Sequence, residues 1–221
     1  AELAASVLCR DWQLAVTESK PVLGIPEGQY LERATAAGLE HFASTCQLLA
    51  EHGYEIKRVR ALEGFDQIVD RHGLILAAEA AQVHAQWFAE YRELYHESMV
   101  ELIMRGREIS VGELAEALNG RQGLRRQLTE QMDEHEIDLW ICPSAPGEAP
   151  VGLESTGDPI MNLPWTHCGL PSVNLPSLAN GLGLPLGLQA VGRWYADETL
   201  LEWSAQLEMS LSVGNANFAD A

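Results

Sequence analysis

Serine is the residue type in this chain with the most scope for nucleophilic chemistry, and its surroundings argue against catalysis here. A serine attacks a carbonyl group only when a neighbouring base or a lowered barrier to proton loss activates its hydroxyl. No G-x-S-x-G turn is present. Ser144, Ser155, Ser172 and Ser177 each fit the pattern of a turn or a strand end. We therefore expect no catalytic residue within these 221 residues.

Histidine, cysteine and acidic residues do not fall into metal-binding spacings. The seven histidines form no H-E-x-x-H pair. The four cysteines, Cys9, Cys46, Cys142 and Cys168, lack a C-x-x-C spacing and sit in apolar patterns. The acidic run at 133–138 fits a solvated helix end better than a cation site. We predict no metal, no cofactor and buried free thiols in a reducing compartment.

Three further patterns are weighed against ordinary structural roles. The run from Gly181 to Gly187 resembles a dinucleotide-binding loop, but such a loop must open a helix, and Pro185 begins a strand pattern instead. His84 lies on an apolar helical stripe, where a packing role is expected. His167 lies beside Trp165 and Thr166 in a turn-rich segment, so it is the one histidine kept as a candidate for a functional role, although packing is still favoured.

The turn-rich stretch 139–192 must position any site in this chain. It holds most of the prolines and about half of the glycines, so its backbone angles are closely specified. The apolar runs 139–142 and 172–175, each closed by a proline, predict strands buried on both faces. Asn180-Gly181 favours a tight turn, which would make 172–176 and 186–192 neighbouring strands.

The first two thirds of the chain predict a strand, a helix and a parallel strand, followed by helices. Residues 20–25 and 54–59 have strand patterns, and the helix between them should make a right-handed crossover. Residues 65–95 predict one long helix or two with a break near Gly73. Ser110 and Glu113 form a capping box that opens another helix. We expect a single α/β lobe over 1–221, with a mixed sheet flanked by helices and a mainly helical insertion at 62–135.

The order of short motifs after residue 138 resembles the C-terminal part of the amidase signature family of serine amidohydrolases. Each motif alone is weak evidence for the family, because it consists only of apolar residues and turn formers. The motifs together, in this order, are specific for the family. The motifs are Pro143-Ser-Ala-Pro, Thr156-Gly-Asp, Leu163-Pro-Trp-Thr, Gly169-Leu-Pro-Ser, Asn174-Leu-Pro, Gly183-Leu-Pro-Leu-Gly-Leu-Gln, Val191-Gly-Arg and Asp197-Glu-Thr-Leu-Leu. Upstream, 20–26 and 54–59 match the middle of the family more loosely. The resemblance implies the C-terminal half of the amidase signature fold.

The resemblance also implies a catalytic centre that this sequence does not contain. The family uses a lysine, a serine after a cis peptide bond and a nucleophilic serine in a Gly/Ser-rich loop, whose backbone amides hold the oxyanion. No such loop occurs, and neither Lys20 nor Lys57, the only two lysines, precedes one. The first residues also have the pattern of a helix interior. We therefore expect the catalytic groups upstream of Ala1, and a C-terminal portion of a longer amidase that is inactive alone.

The resemblance implies where substrate would lie against this portion. The loops after Cys142 and around 156–166 would border the acyl pocket. Pro143, Thr156, Trp165 and Thr166 are the predicted pocket-lining residues, with Trp165 as a flat apolar wall and Thr166 as a hydroxyl. Gln189 is expected to tie neighbouring loops together by amide hydrogen bonds.

Three functions follow as hypotheses. The first is hydrolysis of a small carboxylic amide by the parent protein through a serine acyl-enzyme. The second is the glutaminase (A) subunit of a tRNA-dependent amidotransferase, although 105–126 lacks the expected surroundings of a glutamine-holding arginine. The third is a non-catalytic interaction module.

Composition excludes some partners. A net charge of −18 opposes binding to phosphate backbones, so no nucleic acid is expected. No apolar run approaches the roughly 20 residues of a membrane span. We expect a cytoplasmic protein whose partners are a small-molecule amide and, through self-association, a second copy in a homodimer.

Overall fold

A mixed β-sheet is the centre of the larger of two structural units. The computed structural model describes residues 1–179 and 184–219. It divides the chain into one unit formed by Ala1–Glu63 and Gln127–Ala221 and another formed by Gly64–Arg126. This division does not test the expectation of a single lobe over 1–221 with a helical insertion at 62–135, which stays a prediction.

Five strands form the sheet in the part of the chain that the structure describes. They are β1 (Leu23–Glu27), β2 (Ile56–Arg60), β3 (Leu139–Pro143), β4 (Ser172–Ala179) and β5 (Pro185–Val191). Their order is β2-β1-β3-β5-β4. β1 pairs in parallel with β2 and β3, and β5 pairs antiparallel with β3 and β4. The prediction of a mixed α/β sheet is confirmed, as are the neighbouring positions of β4 and β5. The predicted turn at Asn180-Gly181 lies outside the described residues.

The first two helices of this unit, α1 (Glu2–Leu8) and α2 (Ala36–Glu51), differ in burial. The helix α2 packs against the sheet, whereas α1 buries none of its residues. Leu23 and Ile25 of β1 point to the core on one face of the sheet, where they meet Phe42 and Leu49 of α2. β3 is buried along its whole length, which explains its unbroken apolar run.

The second unit is helical. It contains α3 (Phe65–Val83), α4 (Ala85–Glu90), α5 (Glu97–Glu108) and most of α6 (Val111–Glu134). Of the two predicted alternatives, a break near Gly73 is wrong, because α3 continues through that glycine and ends at Val83, where His84 separates it from α4. The capping box is confirmed: the Ser110 amide donates to a Glu113 carboxylate oxygen at 2.8 Å, and the Glu113 amide donates to Ser110 Oγ at 3.2 Å.

Two more helices complete the larger unit: α7 (Leu163–Cys168) and α8 (Asp197–Ala219). Leu200 and Leu207 of α8 join the core shared with α2. Cys46, Cys142 and Cys168 are buried free thiols as predicted, whereas Cys9 is exposed because α1 buries none of its residues. Within the described residues, no helix has the length and apolarity needed to cross a bilayer.

Candidate functional site

A cleft of about 790 Å³ opens beyond the carboxyl end of β3. The carboxyl ends of parallel strands in α/β sheets are the usual place for ligands. The turn-rich segments after β3 form most of its wall, and β4, β5 and the start of α2 form the rest. The lining residues are Thr35, Ser144–Pro150, Thr156–Pro159, Asn162, Asn174, Pro176 and Pro185–Gly187.

The loop after β3 is held against the first turn of α2. Thr35 caps this helix, since its Oγ1 accepts from the Gly38 amide at 3.1 Å. The same hydroxyl donates to the Pro146 carbonyl at 3.0 Å, and the Thr35 amide donates to that carbonyl at 2.7 Å. A Cβ at Gly38 would lie 2.3 Å from the Pro146 oxygen. Only glycine therefore permits this approach of loop to helix.

The floor of the cleft forms around Gly187 of β5. A Cβ at this position would lie 2.2 Å from Asn174 Oδ1 and 2.6 Å from Ser144 Oγ. The Ser144 amide donates to the Gly187 carbonyl at 3.2 Å. The absence of a side chain at Gly187 thus lets one hydroxyl and one amide group converge where a ligand carbonyl or amide could meet them.

Hydrogen bonds under the floor connect β3, β5 and α7. Cys142 Sγ donates to Gln189 Oε1 at 3.4 Å, and Gln189 Nε2 donates to Asn162 Oδ1 at 2.6 Å. Asn162 Nδ2 then donates to the Ser144 carbonyl at 3.1 Å. The prediction that Gln189 ties neighbouring loops by amide hydrogen bonds is confirmed.

A buried aromatic pair lies next to this network. Tyr30 OH donates to the Met161 carbonyl at 2.7 Å, and Trp165 Nε1 donates to Tyr30 OH at 3.1 Å. Burial, with the nearby Cys142, raises the pKa of Tyr30 well above its usual value. Burial likewise raises the pKa of Cys142 to about 12. Both groups are neutral near pH 7 and act as hydrogen-bonding groups rather than as acids or bases.

The predicted pocket residues fall in different surroundings. Thr156 lines the cleft. Pro143 borders a smaller depression that shares Ser144, Ala145, Leu186 and Gly187 with the cleft. Trp165 is buried against Tyr30, whereas Thr166 is exposed on α7. Contact of these four residues with substrate stays a prediction.

Sequence reasoning missed Thr35, Asn162 and Asn174 as cleft residues. Thr35 stands directly before a helix, which marks it as a cap but not as a wall of a cleft. Asn174 lies opposite Gln189 in the β4–β5 pairing, so strand register was the signal that could have found it. Of the two histidines weighed from the sequence, His167 is buried on α7, and His84 Nδ1 lies 2.9 Å from Tyr95 OH.

His41, which borders the smaller depression, contacts Ser177 without forming a catalytic pair with it. His41 Nε2 lies 2.7 Å from Ser177 Oγ, and that hydroxyl donates to the Leu186 carbonyl at 3.1 Å. Because a hydroxyl has one proton to donate, the ring nitrogen is the donor in the first contact. His41 is therefore no base toward Ser177, and the pair links α2 to β4 and β5.

The charged groups in the described lining of the cleft are acidic. Glu148 and Asp158 lie there, and this part of the lining includes no lysine or arginine. Asp158 also accepts from the Ile160 amide at 2.9 Å, which caps the 3-10 helix Pro159–Met161. Among the described residues, no cluster of three or more His, Cys, Asp or Glu could hold a metal ion. The cleft as described can bind and orient a ligand by hydrogen bonds.

Comparison with known proteins gives one family. A family model described as Amidase matches residues 6–201. The A subunit of glutamyl-tRNA(Gln) amidotransferase from Helicobacter pylori strain P12 is 27% identical over 199 residues, or 78% of this chain and 44% of that protein. The protein of the same name from Parvibaculum lavamentivorans strain DS-1 is 35% identical over 82 residues, or 34% of this chain and 17% of that protein.

The fold has counterparts among solved structures. A crystal structure of an amidase superposes with a TM-score of 0.78 at 24% identity, covering 90% of this chain and 48% of that one. The chain thus spans less than half the length of these relatives.

Proposed function

The chain belongs to the amidase signature family, and from this premise we propose that it forms the C-terminal part of an enzyme that hydrolyses a small carboxylic amide through a serine acyl-enzyme. The catalytic lysine and two serines belong, in this proposal, to a part of the parent protein outside these 221 residues. The observation that carries the proposal is the polar cleft beyond β3, built from the motifs that resemble the family.

The chain contributes binding and orientation. Ser144 Oγ and Asn174 Oδ1 converge at Gly187 on the cleft floor. A hydroxyl and an amide can both donate to and accept from an amide substrate. Holding the scissile amide in one orientation converts the attack of the nucleophile into an effectively intramolecular step. The cleft would thus determine which amide reaches the nucleophile.

Free thiols support a cytoplasmic location as part of the same proposal. Cys46, Cys142 and Cys168 are buried and form no disulfide within the described residues. Such thiols are usual for proteins of reducing compartments.

The glutaminase component of an amidotransferase is the second candidate function. It is favoured by the match to the A subunit of glutamyl-tRNA(Gln) amidotransferase over 78% of this chain. Glutamine carries an α-carboxylate, which arginine or lysine usually binds. The described lining offers Glu148 and Asp158 and no such cation, so this part of the cleft favours an amide without a carboxylate.

Ammonia release tests the proposal. The full-length parent protein, incubated with neutral aliphatic and aromatic amides and separately with glutamine, should release ammonia fastest from a neutral amide. The 221-residue chain alone should release none. Activity in the isolated chain would overturn the division of roles. Release from glutamine alone would favour the glutaminase, and no release from any amide would favour a non-catalytic interaction module.

A further inference from the structure

A one-way series of hydrogen bonds runs from the core to the wall of the cleft. It starts at the Cys142 thiol, passes through the amides of Gln189 and Asn162, and ends at the Ser144 carbonyl, with distances of 3.4, 2.6 and 3.1 Å. Cys142 and Gln189 are 0% and 3% exposed. Water therefore cannot readily replace a lost partner at these two residues.

The direction of this series is set at its buried end. The Cys142 thiol remains protonated, since burial raises its pKa to about 12, and it donates to the carbonyl oxygen of Gln189. That contact orients the Gln189 amide so that its nitrogen faces Asn162. Asn162 must then accept with its oxygen and donate with its nitrogen. The nitrogen reaches the backbone of the cleft loop, and a flipped amide would break both contacts.

Strand register connects the series to the cleft floor. Gln189 lies opposite Cys142 on β3 and opposite Asn174 on β4, so these three side chains share one face of the sheet. Asn174 and Ser144 converge at Gly187, two residues before Gln189 on the same strand. A shift of the Ser144 backbone would therefore change the spacing between the two polar groups on the floor.

We propose that Gln189 and Asn162 are positioning residues that hold Ser144 and the cleft loop in the shape that binds the amide substrate. The role rests on the proposed amidase function. Neither residue takes part in bond breaking. Their loss should weaken substrate binding more than it slows the chemical step, because the nucleophile belongs to another part of the parent protein.

Paired isosteric substitutions in the parent protein test this role. Gln189→Met removes the donor to Asn162, and Asn162→Leu removes the donor to Ser144, each with little change in volume and without a buried charge. Each should raise KM about tenfold, the effect of one lost buried hydrogen bond, and change kcat by less than about twofold. The double variant should raise KM no further, because both substitutions interrupt one series. Gln47→Met, the same exchange on an exposed face of α2, is the control.

Hydrogen exchange supplies a readout that does not depend on activity. The Ser144 amide donates to Gly187 at 3.2 Å, and its protection should fall in both variants but not in the control. Unchanged KM and unchanged exchange would overturn the role, as would multiplicative effects in the double variant. If the wild-type parent protein hydrolyses no amide, the proposed function fails. Hydrogen exchange at the Ser144 amide then tests by itself whether Gln189 and Asn162 hold the cleft loop in place.

Discussion

Buried polar side chains near the cleft are neutral, and this sets their chemical role. Burial raises the pKa of Tyr30 and brings that of Cys142 to about 12. A phenol and a thiol that keep their protons serve as fixed donors. Residues next to the cleft thus shape it, and none of these groups supplies a base.

His41 should make stability depend on pH. Burial lowers its pKa below the ordinary value of about 6.5. The unfolded chain then takes up a proton more readily than the folded one. The contribution of neutral His41 to the free energy of unfolding is therefore full above about pH 6.5 and is lost as the pH falls from that value toward the lowered pKa. His41→Gln, which keeps a donor for Ser177, should reduce the loss of unfolding free energy between about pH 7.5 and about pH 5, measured by urea denaturation.

A second histidine, in the other unit, provides an independent case of the same effect. Burial is also the main cause that lowers the pKa of His72, so His72→Gln should reduce the same loss independently. An undiminished pH dependence in His41→Gln would contradict the assignment.

Single residues were predictable where their role depends on the local chain. The capping box at Ser110 and Glu113 needs only spacing. Asn162 makes its hydrogen bonds with residues 18 and 27 positions away, so no local pattern could reveal them. The Trp165 indole donates to Tyr30 OH at 3.1 Å, and no local pattern could reveal this partner 135 positions away.

Contact between a helix and a loop determines the shape of the cleft. The cap of α2 and the loop after β3 share the Pro146 carbonyl, which accepts from both Thr35 Oγ1 and the Thr35 amide. The first turn of α2 is therefore both a helix end and part of the cleft wall.

Gly38→Ala should destabilise the protein although alanine favours helices. A Cβ at Gly38 would lie 2.3 Å from the Pro146 oxygen, so the loop or the helix must move, at a cost of about 1–3 kcal/mol. Gly123→Ala in α6 is the matched control, because its Cβ would meet nothing within 4 Å. It should stabilise by about 0.5–1 kcal/mol. Urea denaturation of both variants measures the difference, and a stabilising Gly38→Ala would contradict the contact.

Elements were predictable from periodicity, and their bounds less so. The strands of the 139–192 stretch follow their apolar runs, but the prediction that 172–175 is buried on both faces and closed by a proline is wrong. Exposed and less exposed residues alternate over 172–177 of β4, and the strand continues through Pro176 to Ala179. Gly73 did not break α3 because a glycine inside a helix costs only about 1 kcal/mol, which packing offsets. The pairing of β1 with β3 joins strands more than a hundred residues apart, so no local pattern could predict it.

The helix α1 exposes apolar side chains that could bring two molecules together. Leu3, Val7 and Leu8 are 83%, 77% and 82% exposed, and the helix buries no residue. Apolar side chains grouped on one short helix favour association. Self-association of the isolated chain is therefore proposed.

Light scattering tests this proposal. The isolated chain should have an apparent mass above 24.3 kDa, and replacing Leu3, Val7 and Leu8 by serine should lower it toward that value. Val111→Ser, at a single exposed residue in the other unit, should leave the mass unchanged. A monomeric wild-type chain would contradict the proposal.

The central claim is that these residues shape the cleft while the nucleophile lies elsewhere in the parent protein. Labelling the full-length parent protein with a serine-reactive fluorophosphonate, followed by peptide mapping, tests it most directly. The account predicts one labelled serine outside these 221 residues and no label on the isolated chain. A label on Ser144, Ser172 or Ser177 would contradict it.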